Sequence, residues 1–104
     1  TVMPTQPDTD PTYWLYTVLL PEDTTLDQRK SVVADLNSQG VGVRPLWYPN
    51  HALPPFSECQ VLGGEQANML HRRAVSLPSS VGLTSEEQER AIGAVKSAMG
   101  RSDI

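Results

Sequence analysis

The chain has 104 residues with twelve acidic and eight basic side chains, a net charge of −4 and no long run of like charge, which argues against binding to a phosphate backbone. One domain with a modest core is the expected scale. Its longest apolar run, around Val18-Leu19-Leu20, falls far short of the ~20 residues a membrane span requires. Cys59 is the sole cysteine, so no internal disulfide can form, and a reducing cytoplasmic setting is the default expectation.

Residues 1–12 hold Pro4, Pro7 and Pro11 among Thr, Gln and Asp, a composition with too little apolar area to offset ordering entropy. It reads as a flexible linker or frayed lead-in. Tyr13 to Leu20 is enriched in aromatic and β-branched residues and is stopped by Pro21, the pattern of a strand. Both of its faces are apolar, so each needs a cover.

Thr25 followed by Gln28 is a capping-box spacing, and the run from Leu26 to Gln39 places Leu26, Val32, Val33 and Leu36 on one stripe. A helix follows, with Asp27, Arg29, Lys30 and Asp35 expected in water and Gly40 as its left-handed stop. Val41 to His51 then reads as a strand that ends in a proline-rich turn. Pro45 and Pro49 each fix φ near ~−65° and lack a backbone donor, so the segment must leave the sheet. Trp47, Tyr48 and His51 are carried outward with it.

Ala52 to Gly64, with Pro54, Pro55, Gly63 and Gly64, reads as an extended loop, long enough to face a ligand or partner. A short helix from Glu65 to Arg73 is expected next, with Ala67, Leu70 and Ala74 inward and His71, Arg72 and Arg73 outward. Ala74 to Leu77 is a short buried strand closed by Pro78. A second capping box, Thr84-Ser85-Glu86-Glu87, opens a last helix whose stripe is Ala91, Ile92, Val95, Ala98 and Met99, with Gly100 after it. The order β-α-β-loop-α-β-α predicts an α+β fold, a small sheet with helices mainly on one face. Residues 13–100 form the domain and 101–104 a tail.

Chemistry is sparse. Cys59 with His51 or His71 is a conceivable thiol and base, but an ordinary loop cysteine explains it better, and the spacing of these three suits no zinc site. Gly63-Gly64 lacks the spacing of a phosphate loop and is better read as a flexible turn. Arg72-Arg73 reads as a solvated helix end complementing the dipole. Glu86, Glu87 and Glu89 are explained by capping, and Lys30 and Lys96, the only lysines, fall on solvent-facing helix positions unsuited to Schiff-base chemistry.

Taken in order, Tyr13-Trp14-Leu15-Tyr16, the helix to Gly40, Gly42 to His51, Ser76-Leu77-Pro78-Ser79-Ser80 and Leu83 to Glu87 are a familiar series. The chain resembles the C-terminal small domain of DegT/DnrJ/StrS-family nucleotide-sugar aminotransferases, fold-type I pyridoxal-phosphate enzymes. The wording Arg44-Pro45-Leu46-Trp47 and Leu77-Pro78-Ser79-Ser80 is most similar to the branch associated with precursors of amino sugars and of nonulosonic acids such as legionaminic acid. The resemblance implies transfer of an amino group, usually from glutamate, to a keto carbon of a nucleotide-linked deoxysugar.

It also implies that the cofactor lysine and most phosphate-binding groups lie in a large domain outside this chain. This chain then binds no cofactor and does not transaminate alone. Its implied partners are that large domain or a second copy in a homodimer, with no nucleic acid and no membrane. Arg44, Trp47, Tyr48 and His51 are the implied substrate-proximal residues: Arg44 for a carboxylate or diphosphate, Trp47 and Tyr48 for the sugar or nucleotide, His51 near the entrance. None is assigned a catalytic role. Asn50 departs from the hydrophobic residue that many members carry. The alternative is a free-standing binding or assembly module built on the same fold.

Overall fold

A computed structural model of the chain describes residues 1–100, so the expected tail lies outside the described residues. Three short strands form one antiparallel sheet in the order β1-β3-β2, where β1 is Tyr16–Leu19, β2 is Arg44–Pro45 and β3 is Ala74–Leu77. Three helices complete it: α1 (Leu26–Ser38), α2 (Glu65–Arg73) and α3 (Ser85–Ala98). The α+β class and the order of elements agree with the expectation. The strands are shorter than expected.

β1 begins at Tyr16 rather than Tyr13, because Tyr13 takes a positive φ of 51° and turns the chain. β2 keeps only two residues and occupies a sheet edge, where Pro45 costs no ladder bond. Val41 and Val43 are buried without belonging to a strand. The side-chain amide of Asn37 replaces the missing ladder: Nδ2 donates to the Val43 carbonyl at 3.2 Å and Oδ1 accepts from Val43 N–H at 3.1 Å. At the other edge Thr1 exchanges backbone hydrogen bonds with Leu19, and Val2 bridges Val18.

Both capping boxes form, Thr25 with Gln28 and Thr84 with Glu87. α1 ends in a Schellman closure, with Gly40 N–H on the Asn37 carbonyl and Val41 N–H on the Leu36 carbonyl, each at 3.0 Å. Gly40 supplies the required φ of 78°, and its neighbours Leu36 and Val41 meet in the core. That core joins Leu20, Leu36, Val41, Val43, Val75 and Val95. α1 lies in the middle, packed on β2 and β3 and flanked by α2 and α3. No helix among the described residues is long and apolar enough to cross a membrane.

The expected loop 52–64 is partly ordered into 3₁₀ turns at Asn50–Ala52 and Pro54–Phe56. α2 spans the expected residues but is turned about its axis. His71 is buried while Leu70 is 37% exposed and Ala67 faces solvent. Arg29 on α1, expected in water, is only 2% exposed. Arg72 and Arg73 are clamps rather than solvated charges. Arg73 Nε and a terminal guanidinium nitrogen donate to the Leu20 carbonyl at 3.1 and 3.0 Å, and Arg72 donates to the carbonyls of Glu22 and Thr24. Together they tie the end of α2 to the β1–α1 connection.

Candidate functional site

Beyond β2 the chain leaves the sheet as a strap, residues 46–51, and this strap carries the residues expected near a substrate. Arg44 stands exposed at the sheet edge, in register with Ser76 of β3. Ser76 and Thr17 of β1 pair through their hydroxyls at 3.1 Å on the same row. Trp47 and Tyr48 are 71% and 59% exposed, as two prolines in a departing strand require. Sequence reasoning missed Trp14. It is 73% exposed, and its ring meets that of Trp47 at 6.4 Å between centroids.

His51 is not free at the strap's end. It is half-buried, and its Nε2 donates to Asn68 Oδ1 of α2 at 2.8 Å. Gly64, at φ 105°, leaves room for that ring: a Cβ there would approach His51 Cε1 to 3.0 Å. Gly64 therefore seats the histidine against the start of α2.

A buried polar cluster that the sequence reading also missed lies beneath the strap. His71 Nδ1 is 3.0 Å from the Leu46 carbonyl and 3.2 Å from that of Trp47, and Nε2 is 3.5 Å from an Arg29 guanidinium nitrogen. The Tyr48 ring lies tilted against the imidazole at 4.5 Å. Burial pushes the Arg29 pKa down and the nearby Tyr48 phenol acts in the opposite direction. Arg29 Nε has no hydrogen-bond partner among the described residues. Pro45 and Pro49 offered a signal, since a strap leaving the sheet strands carbonyls that must find donors elsewhere.

A separate groove of about 650 Å³ runs between β1 and α3, lined by residues such as Tyr16, Leu77, Leu83, Ile92 and Lys96. It contains none of the four strap-side residues. Its lining has no carboxylate and no arginine, so it offers pyridoxal phosphate neither a partner for the ring nitrogen nor a fork for the phosphate. Lys30 is no better placed, with its side chain 57% exposed and 3.8 Å from Asp27. Among the described residues, the lining of this groove does not fit that cofactor, although Lys96 lies in it. Cys59 is exposed and unpaired, and the described residues hold no cluster suited to a metal ion.

A helix-backed edge strand, an exposed arginine and a strap of aromatics thus present one continuous surface. Residues 1–96 match the model of the DegT/DnrJ/EryC1/StrS aminotransferase family. The chain belongs to that family. It is 34% identical over 85 residues to the GDP-perosamine synthase of Caulobacter vibrioides, an alignment covering 80% of this chain and 22% of the relative.

Among solved structures, this member shares its fold with a protein described as a sugar aminotransferase from Streptococcus pneumoniae, in its PMP form. There the TM-score is 0.72 at 19% identity, covering 83% of this chain and 22% of that one. A DegT/DnrJ/EryC1/StrS aminotransferase from Brucella abortus gives a TM-score of 0.66 at 21% identity, covering 84% and 22%. The chain spans about a fifth of the length of the relatives it matches. The family is one of pyridoxal-phosphate-dependent aminotransferases.

Proposed function

We propose that this chain is the C-terminal portion of a nucleotide-sugar aminotransferase and contributes one wall of the substrate cleft. The observation that carries the reading is the exposed run of Arg44, Trp47 and Tyr48 on a family member that spans about a fifth of its relatives' length. The cofactor and its lysine then come from a large domain outside this chain, and the chain by itself does not transaminate.

The roles follow from the side chains. Arg44 offers a planar fork of donors suited to a carboxylate or diphosphate. Trp47 and Tyr48 offer large rigid faces that exclude water from one side of a sugar or base. His51, anchored on Asn68, borders the entrance. The kinship with a GDP-perosamine synthase makes a GDP-linked keto sugar the first substrate to try.

The test joins this chain to the large domain of that synthase in place of the native C-terminal part. Arg44→Ala and Tyr48→Ala are expected to raise KM for the nucleotide sugar by about tenfold or more, with Glu89→Ala as an unaffected control. Calorimetric titration of the sugar reads the same contrast where turnover is slow. Unchanged KM and affinity in both variants would remove these residues from the cleft.

A further inference from the structure

The polar cluster under the strap has a chemistry that selects the tautomer of its histidine. Carbonyl oxygens only accept, so the two that face His71 Nδ1, from Leu46 at 3.0 Å and Trp47 at 3.2 Å, require a proton on that nitrogen. A guanidinium only donates, so Arg29 at 3.5 Å requires a lone pair on Nε2. Both demands are met by one species, the neutral Nδ1–H imidazole, and by no other. The site is enclosed, with Arg29 2% and His71 8% exposed.

The groups around the ring are Arg29 from α1 and Tyr48 from the strap, with Arg72 and Arg73 following His71 on its own helix. Those two point their guanidinium groups at backbone carbonyls elsewhere. No carboxylate compensates: the ion pair formed among the described residues joins Lys30 to Asp27. The strap has no ladder partner beyond Leu46 N–H, which reaches the Ala74 carbonyl at 3.4 Å. Its next two carbonyls depend on the imidazole.

We propose that His71, held as the neutral Nδ1–H tautomer between the strap carbonyls and Arg29, is a positioning residue that sets the direction in which Trp47 and Tyr48 leave the sheet. Arg29 orients the ring from behind, and the Tyr48 ring closes over it. A histidine whose helical pattern predicts exposure thereby governs the exposed aromatic surface. This positioning does not rest on the cleft reading; only its consequence for a substrate does.

The decisive experiment is nitrogen-15 NMR of the histidine rings in the unaltered chain at neutral pH, with His51→Gln to assign the two. A protonated Nδ1 and a lone pair on Nε2 are expected for His71. The Nε2–H tautomer, or rapid exchange between tautomers, would overturn the proposal. A second arm uses Trp14→Phe, which leaves Trp47 as the reporter. In that background His71→Asn, which keeps an N–H near the Nδ1 position, is expected to leave the Trp47 anisotropy decay unchanged.

His71→Gln, whose amide sits nearer the Nε2 position, is expected to raise the amplitude of fast Trp47 motion about twofold while far-ultraviolet circular dichroism stays constant. Equal behaviour of the two variants would contradict the role. The ring measurement needs no variant of His71, so it decides the matter even where a substitution unfolds the chain.

Discussion

Single residues do work here that regular structure does elsewhere. Asn37, near the end of α1, pairs with both backbone groups of Val43 and so stands in for the strand neighbour that Val43, outside β2, lacks. Asn37→Ala leaves a part-buried donor and acceptor without partners, and a loss of about 1–3 kcal/mol is expected in urea denaturation. Asn37→Asp, which keeps the acceptor but loses the donor, should recover part of that loss. The sequence showed Asn37 only as one more polar helix residue. Its role depends on a loop that turns back six positions later, a tertiary fact no local pattern encodes. The same holds for Arg29 and His71, where charge predicted exposure and the stranded carbonyls of the strap decided otherwise.

At the scale of elements, the helices were the most legible. Both capping boxes and the glycine stop of α1 involve residues within a few positions of one another, so sequence spacing dictates their geometry. The rotation of α2 was not legible, because in nine residues so few apolar side chains are easily outweighed by hydrogen bonds to a neighbour. Strand lengths were overread for a related reason. Apolar enrichment marks burial, which Val41 and Val43 achieve without ladder partners.

The cap of α3 carries a pH signature. The backbone N–H of Thr84, and then its hydroxyl, hold the Glu87 carboxyl below the usual range. A depressed acid contributes stability above the unfolded-state value of ~4.3 that is lost as pH falls through the lower folded value. Thermal melts of Glu87→Gln and the unaltered chain should therefore differ at neutral pH and converge in acid. Thr84→Ala should cost about 1 kcal/mol at neutral pH. A gap that widens on acidification would reverse the sign of the account.

At the scale of the molecule, the order of elements and the α+β class could be read from the sequence, and the run of motifs from Tyr13 to Glu87 pointed to the family. The candidate site was half legible. Arg44, Trp47 and Tyr48 stand where two prolines in an edge strand put them, whereas Trp14 and the anchoring of His51 on Asn68 depend on contacts between distant segments. What the whole molecule presents is an aromatic surface supported from beneath by a buried polar cluster.

The most direct test is to incubate the chain with pyridoxal phosphate and glutamate, reduce with borohydride, and follow lysine adducts by mass spectrometry and amino transfer to a nucleotide-linked keto sugar. The account predicts neither a stoichiometric adduct nor turnover until a family large domain is supplied. A stoichiometric adduct at Lys30 or Lys96 accompanied by turnover from the chain alone would contradict it.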